Sequence, residues 1–424
     1  MDHQTCSEEQ QAIAARYEQA RAEIADSKQP TPMMSGFPPK PCQRVTWDNW
    51  MRPPFSRWGF RHLNQLRPSI EVPAGRGPVR ELPEAPQDLD NLCFESLCGQ
   101  QISVVEALQA TQADSLLVLH RGKVVYERYL AGQRATDRHI MFSVTKSLIG
   151  ILAEQLISEG VLDCALRTDH YLPELASSAF GDASVRQLMD MAVGIEFSEE
   201  YDDPRSESSQ YGYACGFQPA PAEFAHYASL YEYLPTLRKK GEHGGHFHYV
   251  TACTEVLAWV MERASSTTCA DLLTRIWSRM GAESSGYFMA DPWGRSVCGA
   301  GFNATARDMA RFGLLLAENG CCRGEQLIDV DTIERIAQGS DPAIYAQDED
   351  FHAWVPGASY KSQWYVTNDD SQSMMAGGIH GQYLFIDRPS QVVIVKQSTL
   401  PEAVGLLDPD SVRLLKAITA HLKK

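Results

Sequence analysis

The sequence predicts an α/β protein in which an antiparallel sheet is flanked by helices and accompanied by an additional, mostly helical subdomain. Two hairpin patterns indicate the sheet, one in SLLVLHRGKVVYERYL, which begins at Ser115, and one in QYLFIDRPSQVVIVKQS near the C-terminus. Segments with helical spacing of apolar residues, such as VRQLMDMAVG and TARDMARFGLLLAENG, lie between the hairpins. Strands at both ends and helices between them favour one sheet assembled from distant parts of the chain.

The N-terminal part of the chain differs from the rest in composition. Residues 5–27 are polar and rich in Ala, Glu, Gln and Arg, which favours a surface helix or a frayed arm. The Pro-rich stretch KQPTPMMSGFPPKPCQ follows and is incompatible with regular structure. From Trp47 to about Arg80, aromatic residues and arginines stand among prolines, and we expect an irregular extension packed over the body. We therefore divide the chain into an arm, residues 1–46, and one domain, residues 47–424.

Within this domain, we expect the sheet region at about 100–180 and 295–424 and the helical subdomain at about 181–294. The first hairpin turns at HRG, residues 120–122, and the second at DRPS, residues 387–390. Between them, TACTEVLAWVMERAS has the pattern of a helix, and TARDMARFGLLLAENG has the pattern of a helix that ends at Gly320.

Composition and charge exclude several classes of function. Lys and Arg number 38 against 54 Asp and Glu, a net charge of −16 that repels nucleic-acid phosphates and anionic membrane surfaces. No run of about 18 apolar residues indicates a membrane span, and no signal peptide is visible at the N-terminus. The 11 cysteines are odd in number and irregular in spacing, which argues against a disulfide framework. We expect a cytoplasmic protein that acts on a small molecule, and a homodimer is compatible with the sequence.

The stretch HIMFSVTKSLIGILAEQLISEG predicts a helix that begins at Ser143 and ends at Gly160. Its apolar stripe consists of Leu148, Ile149, Leu152 and Leu156, and its polar back of Glu154, Gln155, Ser158 and Glu159. Lys146 follows Ser143 by three residues, which puts both on one face of the first turn. There the helix dipole favours an alkoxide and disfavours an ammonium, so the pair suits a serine nucleophile with an amine base. The alternative is a serine that caps the helix and a solvated lysine, because Ser-x-x-Lys also occurs by chance.

Two further segments follow this helix in the order found in a known superfamily. FSVTKSLIGILAEQLISEGVLD and the hairpin LVLHRGKVVYERY resemble the nucleophile region of the serine β-lactamases and penicillin-binding proteins. FHYVTACTEVLAWVMERA is similar to their Tyr-x-Asn segment, with Tyr249 as the tyrosine and Thr251 in place of asparagine. GGIHGQYLFID is similar to their Lys-Thr-Gly strand, with Ile379, His380 and Gly381 in those places.

Within this superfamily, the sequence resembles the 6-aminohexanoate-dimer hydrolases, which are nylon-oligomer amidases, and the related carboxylesterases. The segments that support this are FSVTKS, LPELASSAFGDASVRQLMDM, GIEFSEEYDDPRSE and GGIHGQYLFID, and the similarity runs from about Trp47 to the C-terminus. The resemblance implies a β-lactamase/transpeptidase-like fold. It also implies a serine hydrolase that cleaves a linear amide or ester of a small acyl substrate. A carboxylesterase with little amidase activity and a non-catalytic ligand-binding relative remain as alternatives.

The resemblance also implies the reacting groups. Ser143 is expected to form the acyl-enzyme, Lys146 to act as its base and Tyr249 to relay the proton to the leaving group, although the division between the last two stays open. The oxyanion hole is expected from the backbone N–H groups of Ser143 and Gln382. Because Ile379 replaces the lysine that holds the carboxylate of penicillin, we expect little or no β-lactamase activity.

The resemblance implies substrate contacts as well. Tyr201 corresponds to a loop tyrosine that contacts the substrate amide in the amidases, with simple packing as the alternative. His380 and Gly381 are expected to lie along the substrate, and the alternative for His380 is a hydrogen-bonded strand histidine.

One histidine-rich tract offers a competing interpretation. EHGGHFHYV contains His243, His246 and His248, and such tracts are typical of metal sites. His246 and His248 would share one face of a strand, but no HExxH-type pattern is present and the glycines favour a loop that leads into Tyr249. We therefore expect neither a metal nor a cofactor.

Overall fold

The computed structural model describes residues 7–26 and 32–424. Its α-helices are α1 Glu8–Asp26, α2 Ser56–Gly59, α3 Leu63–Leu66, α4 Val104–Ala110, α5 Val144–Ser158, α6 Thr168–Tyr171, α7 Val185–Met189, α8 Glu207–Ala214, α9 Leu230–Tyr233, α10 Thr251–Ser265, α11 Cys269–Trp277, α12 Ala306–Ala317, α13 Val330–Ala337, α14 Pro342–Tyr345, α15 Glu349–Trp354 and α16 Asp408–Leu422. Its strands are β1 Ser69–Val72, β2 Cys93–Glu95, β3 Gln101–Ser103, β4 Ala113–His120, β5 Lys123–Tyr129, β6 His139–Ile140, β7 Gly286–Met289, β8 Phe302–Ala304, β9 Cys321–Cys322, β10 Glu325–Gln326, β11 Ser359–Lys361, β12 Trp364–Val366, β13 Met374–Gly378, β14 Gln382–Asp387 and β15 Val392–Ser398.

The main sheet has seven antiparallel strands in the order β11-β12-β13-β14-β15-β4-β5. Both predicted hairpins are confirmed, as β4–β5 and β14–β15, and the pairing of β15 with β4 joins the two ends of the chain. Strand β4 and strand β15 are buried along most of their length, as the continuous apolar runs predict. Helices α12 and α16 pack against β15, and α5 packs against β12, β13 and β14.

A second, four-stranded sheet has the order β1-β7-β8-β6 and is not predicted from the sequence. The expectation that residues 47–80 are simply irregular is therefore wrong, because β1 pairs with β7 and two short helices precede it. Strands of two to four residues carry too little periodicity to be recognised before their partners are known. Trp50 anchors this segment to the body, because its buried indole N–H donates to the Phe217 carbonyl at 2.8 Å.

Helix α1 is docked on the body. Its buried residues are Ile13, Tyr17 and Ala20. The Tyr17 hydroxyl donates to Asp410 on α16 at 2.8 Å, and Arg21 donates to Glu106 on α4 at 2.6 Å. The choice between a helix and a frayed arm is therefore decided in favour of a helix for the described part of residues 5–27.

Helix α5 confirms the prediction for residues 143–160, and Ser158 and Glu159 on its polar back are exposed as expected, but Glu154 is not. Glu154 is fully buried and accepts hydrogen bonds from Arg186 and Arg335, each at 2.8 Å. The expectation of a solvated Glu154 is wrong because α7 and α13 cover this face and bring their arginines to it. Within the described residues, no helix is both long and apolar enough to cross a membrane.

Candidate active site

Ser143 lies at a strained turn between β6 and α5. The preceding residue, Phe142, has a φ of +42°, a left-handed conformation that is unusual for a bulky side chain. Ser143 occupies the N-cap position of α5 but has helical backbone angles, and its side chain makes no capping hydrogen bond. Its hydroxyl is therefore left for other chemistry, and the residue is only 8% exposed.

Lys146 is the hydrogen-bond partner of that hydroxyl. Its Nζ donates to Ser143 Oγ at 2.8 Å and to the Gly299 carbonyl at 2.7 Å. The side chain is buried, and this desolvation lowers the pKa of Lys146 to about 8, against the opposing charges of Glu199 and Glu255. The alternative of a helix cap beside a solvated lysine is thus contradicted on both counts.

Tyr249 lies beside Ser143 and Lys146, two residues before α10 begins. Its ring lies 5.1 Å from Lys146 Nζ and is stacked on Phe351 with the ring centroids 5.0 Å apart. Burial raises the pKa of Tyr249 well above its usual range, and the charge of Glu199 adds to this, while a side-chain hydrogen bond with Ser143 acts in the opposite direction. Tyr249 is therefore a neutral hydroxyl at the serine.

Tyr201 is linked to the site by Glu199, a residue that is not predicted from the sequence. The Tyr201 hydroxyl donates to Glu199 Oε2 at 2.5 Å, and the backbone N–H of Thr251 donates to Glu199 Oε1 at 2.6 Å. Burial raises the pKa of Tyr201, and the nearby charge of Glu199 reinforces the shift. A carboxylate at the first residue of α10 also suits the helix dipole. Glu199 thus ties the loop of Tyr201 to the helix that follows Tyr249.

The hairpin between β13 and β14 lies directly against the serine. A Cβ placed on Gly378 would lie 2.6 Å from the Met141 carbonyl oxygen and 3.0 Å from the Ser143 backbone nitrogen, so only glycine allows this approach. Gln382 pairs with Gly378 across the hairpin, and its side-chain amide donates to the carbonyls of His380 at 2.9 Å and Ser398 at 2.7 Å. The Gln382 side chain thus holds the turn, and its backbone N–H stays a predicted oxyanion donor.

His380 occupies the turn of this hairpin with a φ of +61°. Its backbone N–H donates to Ala403, and its Nδ1 lies 2.7 Å from the Leu400 carbonyl. Burial lowers the pKa of His380 to about 4, so the ring is neutral, and Nε2 is a buried nitrogen without a hydrogen-bond partner. The next residue, Gly381, has a φ of +83° that suits glycine.

A second carboxylate, Glu255, lies behind Lys146 and was also missed. It is 4% exposed and accepts hydrogen bonds from the backbone N–H groups of Cys298 and Gly299. Burial raises the pKa of Glu255 to about 7. The only signal in the sequence is a glutamate within the otherwise apolar run TACTEVLAWV, where a buried charge is unusual.

The histidine tract has other contacts. His243 accepts from the backbone N–H of Gly194 and lies 3.0 Å from Asp182, and His248 lies 3.1 Å from the Phe197 carbonyl. Across residues 7–26 and 32–424, no group of three or more His, Cys, Asp or Glu residues is arranged to hold a metal ion.

Comparison with known proteins supplies the family. The sequence pattern of the family described as Beta-lactamase matches residues 102–416, most of the chain. The chain belongs to the β-lactamase family. It is 33% identical over 377 residues to the 6-aminohexanoate-dimer hydrolase of Paenarthrobacter ureafaciens, covering 88% of this chain and 92% of that protein.

Solved structures agree with this assignment. A Bacillus anthracis protein provisionally described as a 6-aminohexanoate-dimer hydrolase superposes with a TM-score of 0.81 at 29% identity, covering 90% of this chain and 97% of that one. A family VIII carboxylesterase, with a TM-score of 0.53 at 18% identity over 72% of this chain and 91% of that one, shares the fold. The predicted superfamily, fold class and enzyme class, a serine hydrolase, are confirmed.

Proposed function

We propose that this β-lactamase-family protein hydrolyses a linear amide or ester of a small acyl substrate through an acyl-enzyme on Ser143. The observation that carries the proposal is the buried contact of 2.8 Å between Lys146 Nζ and Ser143 Oγ. A lysine with a pKa of about 8 is partly neutral near pH 7, and a neutral amine can accept the serine proton. The relatives described as 6-aminohexanoate-dimer hydrolases support a linear amide as the substrate class.

The reaction begins when Ser143 Oγ attacks the carbonyl carbon and its proton passes to Lys146 Nζ. The oxyanion that forms accepts hydrogen bonds from the Ser143 backbone N–H and from a second amide on the hairpin, for which Gln382 is the predicted donor. The closeness of Gly378 to the Ser143 backbone, where an added Cβ would lie 3.0 Å from the nitrogen, supports this hairpin as the source of the second donor.

Collapse of the tetrahedral intermediate breaks the bond from carbon to the leaving nitrogen or oxygen. Tyr249, neutral and beside Lys146, passes a proton to the leaving group and recovers one from the ammonium. Water then attacks the acyl-enzyme, Lys146 takes its proton, and the acid leaves with restoration of the Ser143 hydroxyl. Tyr201, held by Glu199, and the buried Nε2 of His380 are the proposed polar contacts for the substrate.

The test is a pre-steady-state burst with a short-chain nitrophenyl ester, followed by identification of the acylated peptide by mass spectrometry. We expect one acyl group per chain on Ser143 and none in Ser143→Ala. Ser147→Ala is the matched control, because Ser147 lies one turn further along α5 and its hydroxyl donates to the Gln363 carbonyl, away from Lys146. An acyl group on another residue, or an unchanged burst in Ser143→Ala, would contradict the proposal.

Substrate choice is decided by parallel assays with a linear 6-aminohexanoate dimer and with the ester. Hydrolysis of both supports the amidase, and hydrolysis of the ester alone supports the carboxylesterase alternative. Absence of acylation and turnover with either substrate would favour a ligand-binding relative. A cytoplasmic location and a homodimer complete the proposal, and cell fractionation and light scattering test them.

A further inference from the structure

The Glu255 carboxylate is held by three neutral donors. Oε1 accepts from the Gly299 backbone N–H at 2.6 Å and from the Tyr211 hydroxyl at 2.7 Å, and Oε2 accepts from the Cys298 backbone N–H at 3.1 Å. Glu255 lies on α10 and is 4% exposed. A carboxylate fits this arrangement because both of its oxygens accept hydrogen bonds. The two consecutive amides are therefore fixed by one side chain.

The segment that Glu255 fixes is the one that holds the active-site lysine. The Gly299 carbonyl accepts from Lys146 Nζ at 2.7 Å, and the same nitrogen contacts Ser143 Oγ at 2.8 Å. A continuous chain of hydrogen bonds thus runs from Tyr211 through Glu255 and Gly299 to the lysine and the serine.

Gly299 has no room to move within this chain. A Cβ on Gly299 would lie 2.8 Å from Thr251 Cγ2, 2.9 Å from the Tyr211 hydroxyl and 3.0 Å from Glu255 Oε1. The backbone of Gly299 is therefore packed against α10 and α8 at the point where its N–H meets the carboxylate. A displacement of Glu255 would be transmitted to the carbonyl that Lys146 uses.

We propose that Glu255 is a positioning residue for the hydrolytic reaction, which fixes the Gly299 carbonyl and thereby holds the Lys146 amine against Ser143 Oγ. This inference rests on the proposed function of Ser143 and Lys146. Glutamine cannot replace the carboxylate, because its amide NH₂ would face one of the two backbone N–H groups and one hydrogen bond would be lost.

Glu255 also acts on Lys146 through its charge. Above its own pKa of about 7, the negative carboxylate of Glu255 favours the ammonium form of Lys146, so removal of this charge shifts the deprotonation of the lysine to lower pH. Other titratable groups surround this pair. Glu199 and Cys253 act on Lys146, and the Tyr249 ring lies beside the lysine amine. The groups that interact with Glu255 are Tyr211, Cys215, Cys269 and Cys298. Glu255→Gln leaves all of these residues in place.

The experiment measures acylation of Ser143 by a nitrophenyl ester between pH 5.5 and 9.5 in the full-length protein and in Glu255→Gln. In Glu255→Gln we expect the acylation rate at the high-pH plateau to be lower than in the unmodified protein by about tenfold or more. We also expect the midpoint of the rise in rate with pH to move to lower pH by about half a unit or more. Glu262→Gln is the matched control, because Glu262 is a partly buried carboxylate on the same helix that accepts from the Cys269 backbone N–H instead of that of Gly299. We expect it to keep both the plateau and the midpoint.

Glu255→Asp separates position from charge. Its shorter side chain keeps the charge but cannot reach both amides, so the plateau should fall by about tenfold while the midpoint stays in place. This variant also serves if Glu255→Gln does not fold. Crystal structures provide a readout independent of activity, in which the distance from Lys146 Nζ to the Gly299 carbonyl should lengthen beyond hydrogen-bond range in Glu255→Gln.

Three results would overturn the role of Glu255. The first is a Glu255→Gln crystal structure in which the distance from Lys146 Nζ to the Gly299 carbonyl is still 2.7 Å. The second is a Glu255→Asp variant whose acylation rate at high pH equals that of the unmodified protein. The third is an equal loss of acylation rate in Glu255→Gln and Glu262→Gln with no change in the midpoint of the pH profile. Absence of acylation on Ser143 in the unmodified protein is a different outcome, because it would refute the proposed function itself.

Discussion

Protonation of Lys146 should control the rate of acylation. Burial lowers the pKa of this lysine to about 8, and only the neutral amine can accept the proton of Ser143. At pH 7 about one molecule in ten then carries a neutral lysine, and at pH 6 about one in a hundred. Acylation should therefore rise about tenfold per pH unit up to about pH 8 and level off above it, because the folded-state pKa is depressed below the usual value of a lysine.

The assay is stopped-flow release of nitrophenol from a short-chain ester in a single turnover. An activated ester is suitable because its leaving group departs without protonation, so the profile reports the base alone. Lys146→Arg is the accompanying variant, since arginine keeps its charge at every pH used and should lose at least about a hundredfold in rate. A rate that is flat between pH 6 and 9, or a Lys146→Arg variant with normal acylation, would refute the assignment of Lys146 as the base.

Three further predictions concern the groups around the serine. Tyr249→Phe should cost about 10²–10⁴-fold with an amide but about tenfold or less with a nitrophenyl ester, measured as kcat/KM, and equal losses would remove its leaving-group role. Gly378→Ala should lower acylation by at least about tenfold, because the new Cβ would lie 2.6 Å from the Met141 carbonyl oxygen and 3.0 Å from the Ser143 nitrogen. Gly245→Ala, where no atom lies within 4 Å, should leave the rate unchanged. With Ile379 at the position of the lactamase lysine, hydrolysis of a chromogenic cephalosporin should be at or near background, and efficient turnover would contradict this.

Local pattern was sufficient for the two hairpins of the main sheet, β4–β5 and β14–β15, and for helices α5, α10 and α12, but not for the short strands β11 and β12. Ser143, Lys146 and Tyr249 were found because each lies at the start of a helix with a recognisable apolar stripe, and because their segments occur in a known order. The structure brings these three side chains together.

The remaining parts of the site depend on contacts between distant segments. Glu199 and Glu255 act through backbone N–H groups at positions 251, 298 and 299, and no spacing in the sequence reveals such pairs. Helical periodicity placed Glu154 on the outer side of α5, but it could not show that Arg186 and Arg335 approach from other helices and bury it. Amphipathic pattern indicates which face of a helix is apolar, whereas burial of the polar face depends on what packs there.

The turn at Ser143 shows how contacts between distant segments affect the reactivity of the serine. A serine at an N-cap usually stabilises its helix by about 0.5–2 kcal/mol, and this one makes no capping bond. The left-handed conformation of Phe142 costs about 1–3 kcal/mol more, so neighbouring packing must hold the turn in place. The Phe142 ring lies among the rings of Phe60, Trp50 and His380, at centroid distances of 5.0, 6.5 and 5.2 Å. Residues 47–60 thus supply no reacting group, yet they hold the strained turn that leaves the serine hydroxyl free for Lys146.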